Sequence, residues 1–239
     1  MRPAAVAGSF YPAEPRALRT LIRKYLDAAR ETPAAPDPWP KALIVPHAGY
    51  TYSGQVAAAA FVRVEAAWEL VSRVVLMGPS HHRPFAGLAV PSSTAFETPL
   101  GAIAIDETAR RQILRFSFVD VLDDAHHWEH SLEVQLPFLQ EVLGAFSVLP
   151  IAVGHASPGQ VDEVLEALWG GDETLIVVSS DLSHYFDYAT AGRMDAATAS
   201  AIESLEPERI GSEDACGRIG VQGLLKAARR HDLLARTLD

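Results

Sequence analysis

The chain has 239 residues, enough to bury a sizeable core, and its 30 acidic side chains outnumber 20 basic ones. It contains no cluster of Lys and Arg with interleaved aromatic residues, which argues against nucleic acid as the main partner. Its apolar runs are shorter than the ~20 residues of a membrane helix, and its first residues lack the apolar core of a signal peptide. Its single cysteine fits a reducing compartment. We therefore expect a soluble cytoplasmic protein.

The first predicted helix lies near the N-terminus. Pro15 suits its first turn, and the apolar residues that follow repeat at helical spacing until Pro33 ends the helix. A proline-rich connection over residues 33–40 leads into the apolar run 43–45, which predicts a buried strand. A second helix follows, with Ser53 as its predicted N-cap.

The next part of the chain predicts one long buried strand and two short ones. Residues 74–77 are all apolar, without polar alternation, as in a strand that is covered on both faces. Residues 87–90 and 101–105 indicate short strands, and we interpret segment 93–100 between them as a loop. Asp106 is the predicted N-cap of the helix that follows.

The second half of the chain continues the alternation. Residues 120–143 carry an apolar stripe at helical spacing and predict a helix, which Pro137 either kinks or starts. Strands over 148–153 and 175–178 enclose a further helix, and helices alone follow. This order predicts the α/β class, as a single three-layer domain over residues 1–239 with a central, mostly parallel or mixed sheet.

Three of the predicted strands end in loops that carry histidines. His47 follows the first strand, His81 and His82 follow the second, and His184 follows the last. In open α/β sheets, ligands bind at the carboxyl ends of the strands. One such ending has little weight, since a loop histidine is commonly solvated or capping. Three similar endings predict one shared active or metal site.

His47 and His81 are the strongest candidate metal ligands. Imidazole binds Fe, Zn and Cu well, and two histidines with one anionic ligand leave positions open for substrate. Adjacent residues rarely both face one ion, so His82 is assigned to the pocket lining. Cys216 lies before Gly217 in a turn, and its thiolate could be the third ligand. A lone cysteine is more often a small buried hydrophobe, and the residues alone leave both interpretations open.

Asp181 and His184 are the candidate acid/base pair. They lie three residues apart after a strand, so both would share one face if a helical turn begins there. The alternative is that Asp181 only caps the next helix.

A second histidine cluster competes for the metal. His126 and His130 are spaced i, i+4 and could share an ion, but the residue after His126 is His127 and not the glutamate of the HExxH zinc pattern. We therefore interpret His130 and Glu133 as pocket-lining residues and keep a separate zinc site as the alternative. No Walker loop, GxGxxG or GxSxG motif is present, which disfavours nucleotide binding and serine hydrolysis.

Several motifs together resemble the MEMO family, whose bacterial and archaeal members are also called AmmeMemoRadiSam system protein B. The motifs are VPHAGYTYSG, GPSHH, EHSLEVQLPFL, SSDLSHY and the late Cys-Gly pair, in this order over most of the chain. GPSHH and EHSLE together are quite specific. The family is similar in fold to class III extradiol dioxygenases, which are α/β proteins with a non-haem Fe(II) centre.

The resemblance implies metal ligands at His47, His81 and Cys216, with His184 as the neighbouring acid/base group and Asp181 beside it. Tyr50, within VPHAGYTYSG, is expected to line the pocket. The implied cofactor is Fe(II), with Cu or Zn as alternatives. The implied partners are a small-molecule substrate, for instance an aromatic one, or a peptide, together with radical-enzyme and AMMECR1-type proteins.

Relatives usually continue beyond the last helix with a Gly-rich turn and a closing strand, so we expect an edge strand to be missing or replaced here. Two functions stay open. The first is a non-haem iron or copper redox enzyme that resembles the extradiol dioxygenases. The second is a catalytically inactive metal- or peptide-binding module that acts with protein partners. A zinc hydrolase is a third interpretation.

Overall fold

The computed structural model of the protein describes residues 1–31 and 39–239, and a six-stranded sheet lies at its centre. The strands are β1 (Ala42–Val45), β2 (Arg73–Pro79), β3 (Leu88–Val90), β4 (Ala95–Thr98), β5 (Gly101–Ala104), β6 (Val119–Val121), β7 (Ser147–Val153) and β8 (Thr174–Ser179). The sheet order is β1-β8-β2-β7-β3-β6, and β4 and β5 form a separate antiparallel pair. In the large sheet β3 and β7 are antiparallel, and the other neighbours are parallel.

Helices cover both faces of this sheet. They are α1 (Pro15–Arg30), α2 (Tyr50–Phe61), α3 (Glu107–Ile113), α4 (Asp124–His127), α5 (His130–Glu133), α6 (Leu136–Val142), α7 (Pro158–Leu168), α8 (Tyr188–Glu203) and α9 (Arg218–Arg230), with 3₁₀ turns at Val62–Ala67 and Pro207–Arg209. Helices α1, α2 and α6 contribute to one hydrophobic core, and α3, α7 and α9 contribute to the other. The predicted three-layer α/β fold with a mostly parallel, mixed sheet is therefore confirmed.

The position of β2 between two hydrophobic cores explains why its sequence lacks polar alternation. Val74 and Leu76 belong to one core and Val75 and Met77 to the other, and all four are fully buried. Successive side chains of a strand point to opposite faces, so a strand between two helical layers needs apolar residues at every position.

The sheet order brings the histidine-bearing loops to one place. Strand β8 lies between β1 and β2 and is parallel to both. The carboxyl ends of these three strands therefore meet at one edge of the sheet, as the three apolar runs predicted. The loops that carry His47, His81 and His184 all leave from that edge.

Three local predictions are wrong. Segment 93–100 is not a loop throughout, because β4 pairs with β5 and buries Phe96. Segment 120–143 is not one helix but contains the end of β6 and then α4, α5 and α6; Glu129 caps the start of α5, and Pro137 lies in the first turn of α6. Ser53 does not cap α2, which begins three residues earlier; its hydroxyl donates to the carbonyl of Ala48.

The ends of the described chain add two observations. Residues 33–38 of the predicted proline-rich connection lie outside the described residues. After α9, the described residues 231–239 form no strand, although the Thr237 amide donates to Glu203 at 2.8 Å. Among the described helices, none has the length and apolar character needed to span a bilayer.

Candidate metal centre

The three predicted ligands converge at the carboxyl edge of the sheet. One donor atom each from His47, His81 and Cys216 lies within 4.8 Å of the other two. His47 follows β1, His81 follows β2, and Cys216 lies two residues before α9. The three residues are far apart in sequence, so the parallel arrangement of β1, β8 and β2 creates the cluster.

His47 is buried and is held on three sides. Its backbone amide donates to Asp181 Oδ1 at 2.6 Å, and its ring Nδ1 lies 2.8 Å from Ser179 Oγ. The other ring nitrogen, Nε2, is 3.2 Å from Cys216 Sγ. The ring therefore uses Nδ1 for the protein scaffold and directs Nε2 towards the thiol.

His81 is held by the carboxylate of Glu129. Its Nδ1 lies 2.9 Å from Glu129 Oε1, and its backbone amide donates to Oε2 at 2.6 Å. Burial favours the neutral imidazole, but hydrogen bonds to Cys216 and Glu129 outweigh it and raise the pKa of His81 to about 10. Burial likewise raises the pKa of Glu129, but the contacts with His81 and the Ser131 amide lower it to about 2. Glu129 is therefore a fully buried anion beside a candidate ligand.

Cys216 lies in a tight turn against the end of β8. A side chain at Gly217 would come within 2.7 Å of the Ser179 carbonyl oxygen, so only glycine fits this approach. The Asp181 amide points at Cys216 Sγ from 3.3 Å. Burial raises the thiol pKa, but the contacts with His47 and His81 lower the pKa of Cys216 to about 6 in the metal-free protein. The sulfur is thus an anionic donor at neutral pH.

Asp181 and His184 lie beside this cluster. Asp181 Oδ2 is 3.9 Å from His47 Nε2 and 3.7 Å from His184 Nε2. Residues 181–184 do not form a helical turn, so the loop itself brings the two side chains together. His184 is 43% exposed, which leaves its ring accessible to a ligand from solvent.

His130 and His82 form the outer side of the site. The His130 ring stacks on His81 with centroids 4.6 Å apart and is edge-on to His47 at 5.5 Å. Burial lowers the pKa of His130 to about 4, and the neighbouring imidazoles add to this effect. His82 is exposed and 5.9 Å from His130. A second group of candidate donors, comprising His81, Glu129 and His130, shares His81 with the first.

Glu133 and Tyr50 lie below the site, within the protein. Glu133 is fully buried and accepts hydrogen bonds from Arg2, Tyr11 and the amides of two N-terminal residues. The Tyr50 hydroxyl donates to the Val134 carbonyl at 2.7 Å, and its ring packs in the core. Both were predicted to line the pocket. The structure gives both of them contacts that anchor the surrounding segments.

The competing histidine cluster does not form in the described residues. His126 is buried, and its Nε2 lies 3.1 Å from the Ala89 carbonyl oxygen, with Phe96 against its ring. His126 lies on α4 and His130 on α5, so the predicted i, i+4 geometry is lost. The candidate donor groups among the described residues contain neither His126 nor His127.

A small cavity of about 60 Å³ adjoins Cys216. It lies between the ends of β2, β7 and β8 and the start of α9, and glycines and apolar residues make up its walls. The residues besides Cys216 are Gly78, Pro79, Val153, Gly154, Val178, Gly217, Ile219 and Gly220.

The donor set fits a transition metal. Two imidazole nitrogens and one thiolate are ligands that Fe, Cu and Zn accept, and three protein ligands leave coordination positions for other groups. Each histidine also has a hydrogen-bond partner on the ring nitrogen away from the thiol, as metal-binding histidines generally do.

The fold and this site define an α/β protein with a candidate His/His/Cys metal centre at the carboxyl edge of its sheet. A family model described as "Memo-like protein" matches residues 2–231. The chain is similar to a MEMO1 family protein of Aquifex aeolicus, with 37% identity over 88% of this chain and 77% of the relative. It is also similar to a MEMO1 family protein of Thermotoga petrophila, with 37% identity over 94% of this chain and 87% of the relative. The memo-1 homolog of Caenorhabditis elegans is 31% identical to this chain, over 95% of this chain and 71% of the relative. The chain therefore belongs to the MEMO family, as its motifs predicted.

The partners of the candidate ligands were not found from the sequence. Helical spacing would put Glu129 and Glu133 on one face, whereas the two carboxylates lie in different hydrogen-bond networks. Neither Ser179 nor Gln135 is among the site residues predicted from the sequence. A polar side chain at the last position of a fully buried strand, as at Ser179, is the signal that could have identified one of them.

Proposed function

We propose that the chain binds Fe(II) or copper through His47, His81 and Cys216, with zinc as the alternative metal, and that this centre carries out a redox reaction. The observation that carries the proposal is the convergence of the three donor atoms within 4.8 Å. A thiolate of lowered pKa supplies both negative charge and a soft ligand. A bound metal would supply the redox chemistry.

The remaining side chains then have roles that their positions support. His184, accessible from solvent and next to Asp181, takes a proton from the substrate at Nε2. Asp181 holds the loop after β1 through the His47 amide, and its Oδ2, 3.7 Å from His184 Nε2, stabilises the imidazolium that this proton transfer creates. His130 and His82 form the wall that a substrate meets. The substrate is a small molecule, for instance an aromatic compound, and the setting is the cytoplasm.

The role of His184 has its own test. Proton transfer by a positioned side chain typically contributes ~10²- to 10⁴-fold to rate. The His184→Ala variant should therefore keep its metal and lose turnover by a factor in that range. Metal loss in this variant would instead make His184 a ligand.

A second candidate function is a metal- or peptide-binding module without catalysis, acting with radical-enzyme and AMMECR1-type protein partners. Exposed aromatic side chains in the loop after β8 and at the start of α8 favour it. Tyr185 and Tyr188 are almost fully exposed, and Phe186 is 40% exposed. Such side chains commonly form the energetic centre of protein interfaces.

The experiment that tests the proposal is anaerobic purification followed by elemental analysis, with the His47→Ala and His81→Ala variants in parallel. We expect stoichiometric Fe or Cu in the wild type and its loss in both variants. Oxygen uptake with a panel of catechols then separates the enzyme from the binding module. Equal metal content in all three proteins would contradict the proposal.

A further inference from the structure

Ser179 sits at the centre of a buried hydrogen-bond network behind His47. Its Oγ lies within hydrogen-bond distance of three groups: the Ser131 carbonyl at 2.6 Å, Gln135 Nε2 at 2.8 Å and His47 Nδ1 at 2.8 Å. Ser179 and Ser131 are fully buried, and Gln135 is 1% exposed. The network therefore has no access to bulk water that could change its hydrogen-bond directions.

The direction of each hydrogen bond in this network is fixed by carbonyl groups, which can only accept. Gln135 Nε2 lies 2.9 Å from the Pro46 carbonyl oxygen, so this atom is the amide nitrogen, and it also donates to Ser179. The Ser179 hydroxyl has one proton, and the Ser131 carbonyl accepts it. His47 must then donate to Ser179, so the proton of the His47 ring is on Nδ1. Its Nε2 faces Cys216 and shares the thiol proton with the sulfur in the metal-free protein; without that proton, Nε2 carries a lone pair.

Glu129 imposes the same arrangement on His81. A carboxylate can only accept, and Glu129 accepts from His81 Nδ1, the His81 amide and the Ser131 amide. The His81 ring therefore keeps its proton on Nδ1 when it gives up the other one, as the binding of a metal ion at Nε2 requires. The other ring nitrogen, Nε2, lies on the side of the ring away from the carboxylate and faces Cys216.

We propose that Ser179, held by Gln135 and Ser131, and Glu129 are positioning residues that fix the tautomers of His47 and His81, so that both Nε2 atoms face one metal ion. The proposal rests on the proposed metal function and adds to it the groups that organise the ligands. Ser131 connects the Ser179 network to Glu129, since its carbonyl accepts a hydrogen bond from Ser179 and its amide donates one to Glu129. The short helix α5 and its capping residue thus orient the rings of both His47 and His81.

The first test measures the tautomer of His47 by ¹⁵N NMR of the imidazole rings. The metal-free Cys216→Ala protein is suitable because it lacks the thiol that would share a proton with Nε2. At about pH 9, well above the range in which free imidazole titrates, we expect the His47 proton on Nδ1 and a bare Nε2. Adding Ser179→Ala should remove this preference. A His47 proton on Nε2 in the Cys216→Ala protein would overturn the proposal, whether or not the protein binds metal.

The second test measures Zn(II) affinity by competition with a chelator. Loss of a group that orients a metal ligand typically lowers affinity ~10- to 100-fold. We expect losses in that range for Ser179→Ala and Glu129→Gln. Ser53→Ala and Glu133→Gln are the matched controls, because Ser53 and Glu133 are buried and touch none of the three ligands.

The two tests separate the inference from the proposed function. Wild-type affinity in the folded Ser179→Ala and Glu129→Gln proteins would overturn the positioning role, even if His47→Ala abolishes binding. Absence of Zn(II), Fe(II) and Cu binding in the wild type would overturn the metal function, and the NMR result would still decide the tautomer.

Discussion

Two buried carboxylates, Glu129 and Glu133, lie four residues apart at the two ends of α5, and they bind different partners. Glu133 binds Arg2, Tyr11 and two backbone amides. Each nitrogen of the Arg2 guanidinium donates within the protein, since the group also donates to the carbonyls of His126 and Glu129. Glu129 instead binds His81, whose second ring nitrogen faces Cys216 in the candidate metal site. The partner of Glu133 therefore contacts only the surrounding protein, whereas the partner of Glu129 also belongs to the candidate donor cluster.

One short segment therefore carries one carboxylate that stabilises the fold, Glu133, and one that belongs to the candidate site, Glu129. Glu133 joins the N-terminal segment to α5 through an ion pair that water does not reach. Glu129 joins α5 to the loop after β2 and sets a candidate ligand. Substitutions at the two positions should therefore affect different measurements.

The largest effect is expected for Glu133→Gln on folding stability. Removing one member of a buried ion pair leaves the Arg2 charge uncompensated and typically costs ~3–5 kcal/mol. Chemical denaturation should show a loss of that size, with the Zn(II) affinity of the folded protein unchanged. Glu163→Gln, an exposed change on α7, is the control and should leave stability within ~0.5 kcal/mol. A stable Glu133→Gln protein that had lost metal binding would reverse the assignment of the two carboxylates.

The next largest effect is expected for Cys216→Ala on metal affinity. Loss of a ligand should weaken binding by more than the ~100-fold that loss of an orienting group costs at most. Cys216→Ser should be as weak, since a neutral hydroxyl supplies neither the charge nor the softness of sulfur. Chelator competition with Zn(II) and Fe(II) measures both. Retained affinity in the serine variant would show that the sulfur is not required.

A smaller effect concerns the pH dependence of Cys216 alkylation in the metal-free protein. Only the thiolate reacts, and the contacts with His47 and His81 outweigh burial and lower the pKa of Cys216 to about 6. The rate should rise through pH 6 and level off near neutrality, whereas an ordinary thiol reacts with a midpoint near pH ~8.5. His47→Ala should move the midpoint upward. A wild-type midpoint at the ordinary value would contradict the described environment of the sulfur.

The smallest effect is expected for His130→Ala on metal content. The His130 ring packs on His81 and faces His47, but His130 is absent from the group that contains Cys216. Metal content measured by elemental analysis should stay near that of the wild type, while the binding of substrate or another ligand changes. Stoichiometric metal loss would favour the alternative donor group of His81, Glu129 and His130.

The sequence predicted the part of this structure that follows from strand burial. The apolar runs before His47, His81 and His184 identify β1, β2 and β8, because only strands covered on both faces lack polar alternation. Placing three such strands side by side is enough to bring their loops to one edge. The convergence of distant histidines was therefore predictable without side-chain geometry.

The contacts around the candidate ligands were not predictable in the same way. The apolar stripe over 120–143 resembles one helix, but Glu129 caps a new start and Pro137 begins another, so the segment bends around the site. That bend sends Glu129 to His81 and Glu133 to Arg2, although helical periodicity puts both on one face. Hydrogen-bond partners depend on such bends, and periodicity does not encode them.

The central claim is that Cys216 belongs to a metal centre with His47 and His81, and its alkylation tests this most directly. Cys216 is the only cysteine of the chain, so the modification reports on this position alone. Under anaerobic conditions at neutral pH, we predict rapid alkylation of the metal-free protein and strong protection by stoichiometric Fe(II) or Cu. His81→Ala should remove the protection. Equal alkylation rates with and without metal would contradict the account.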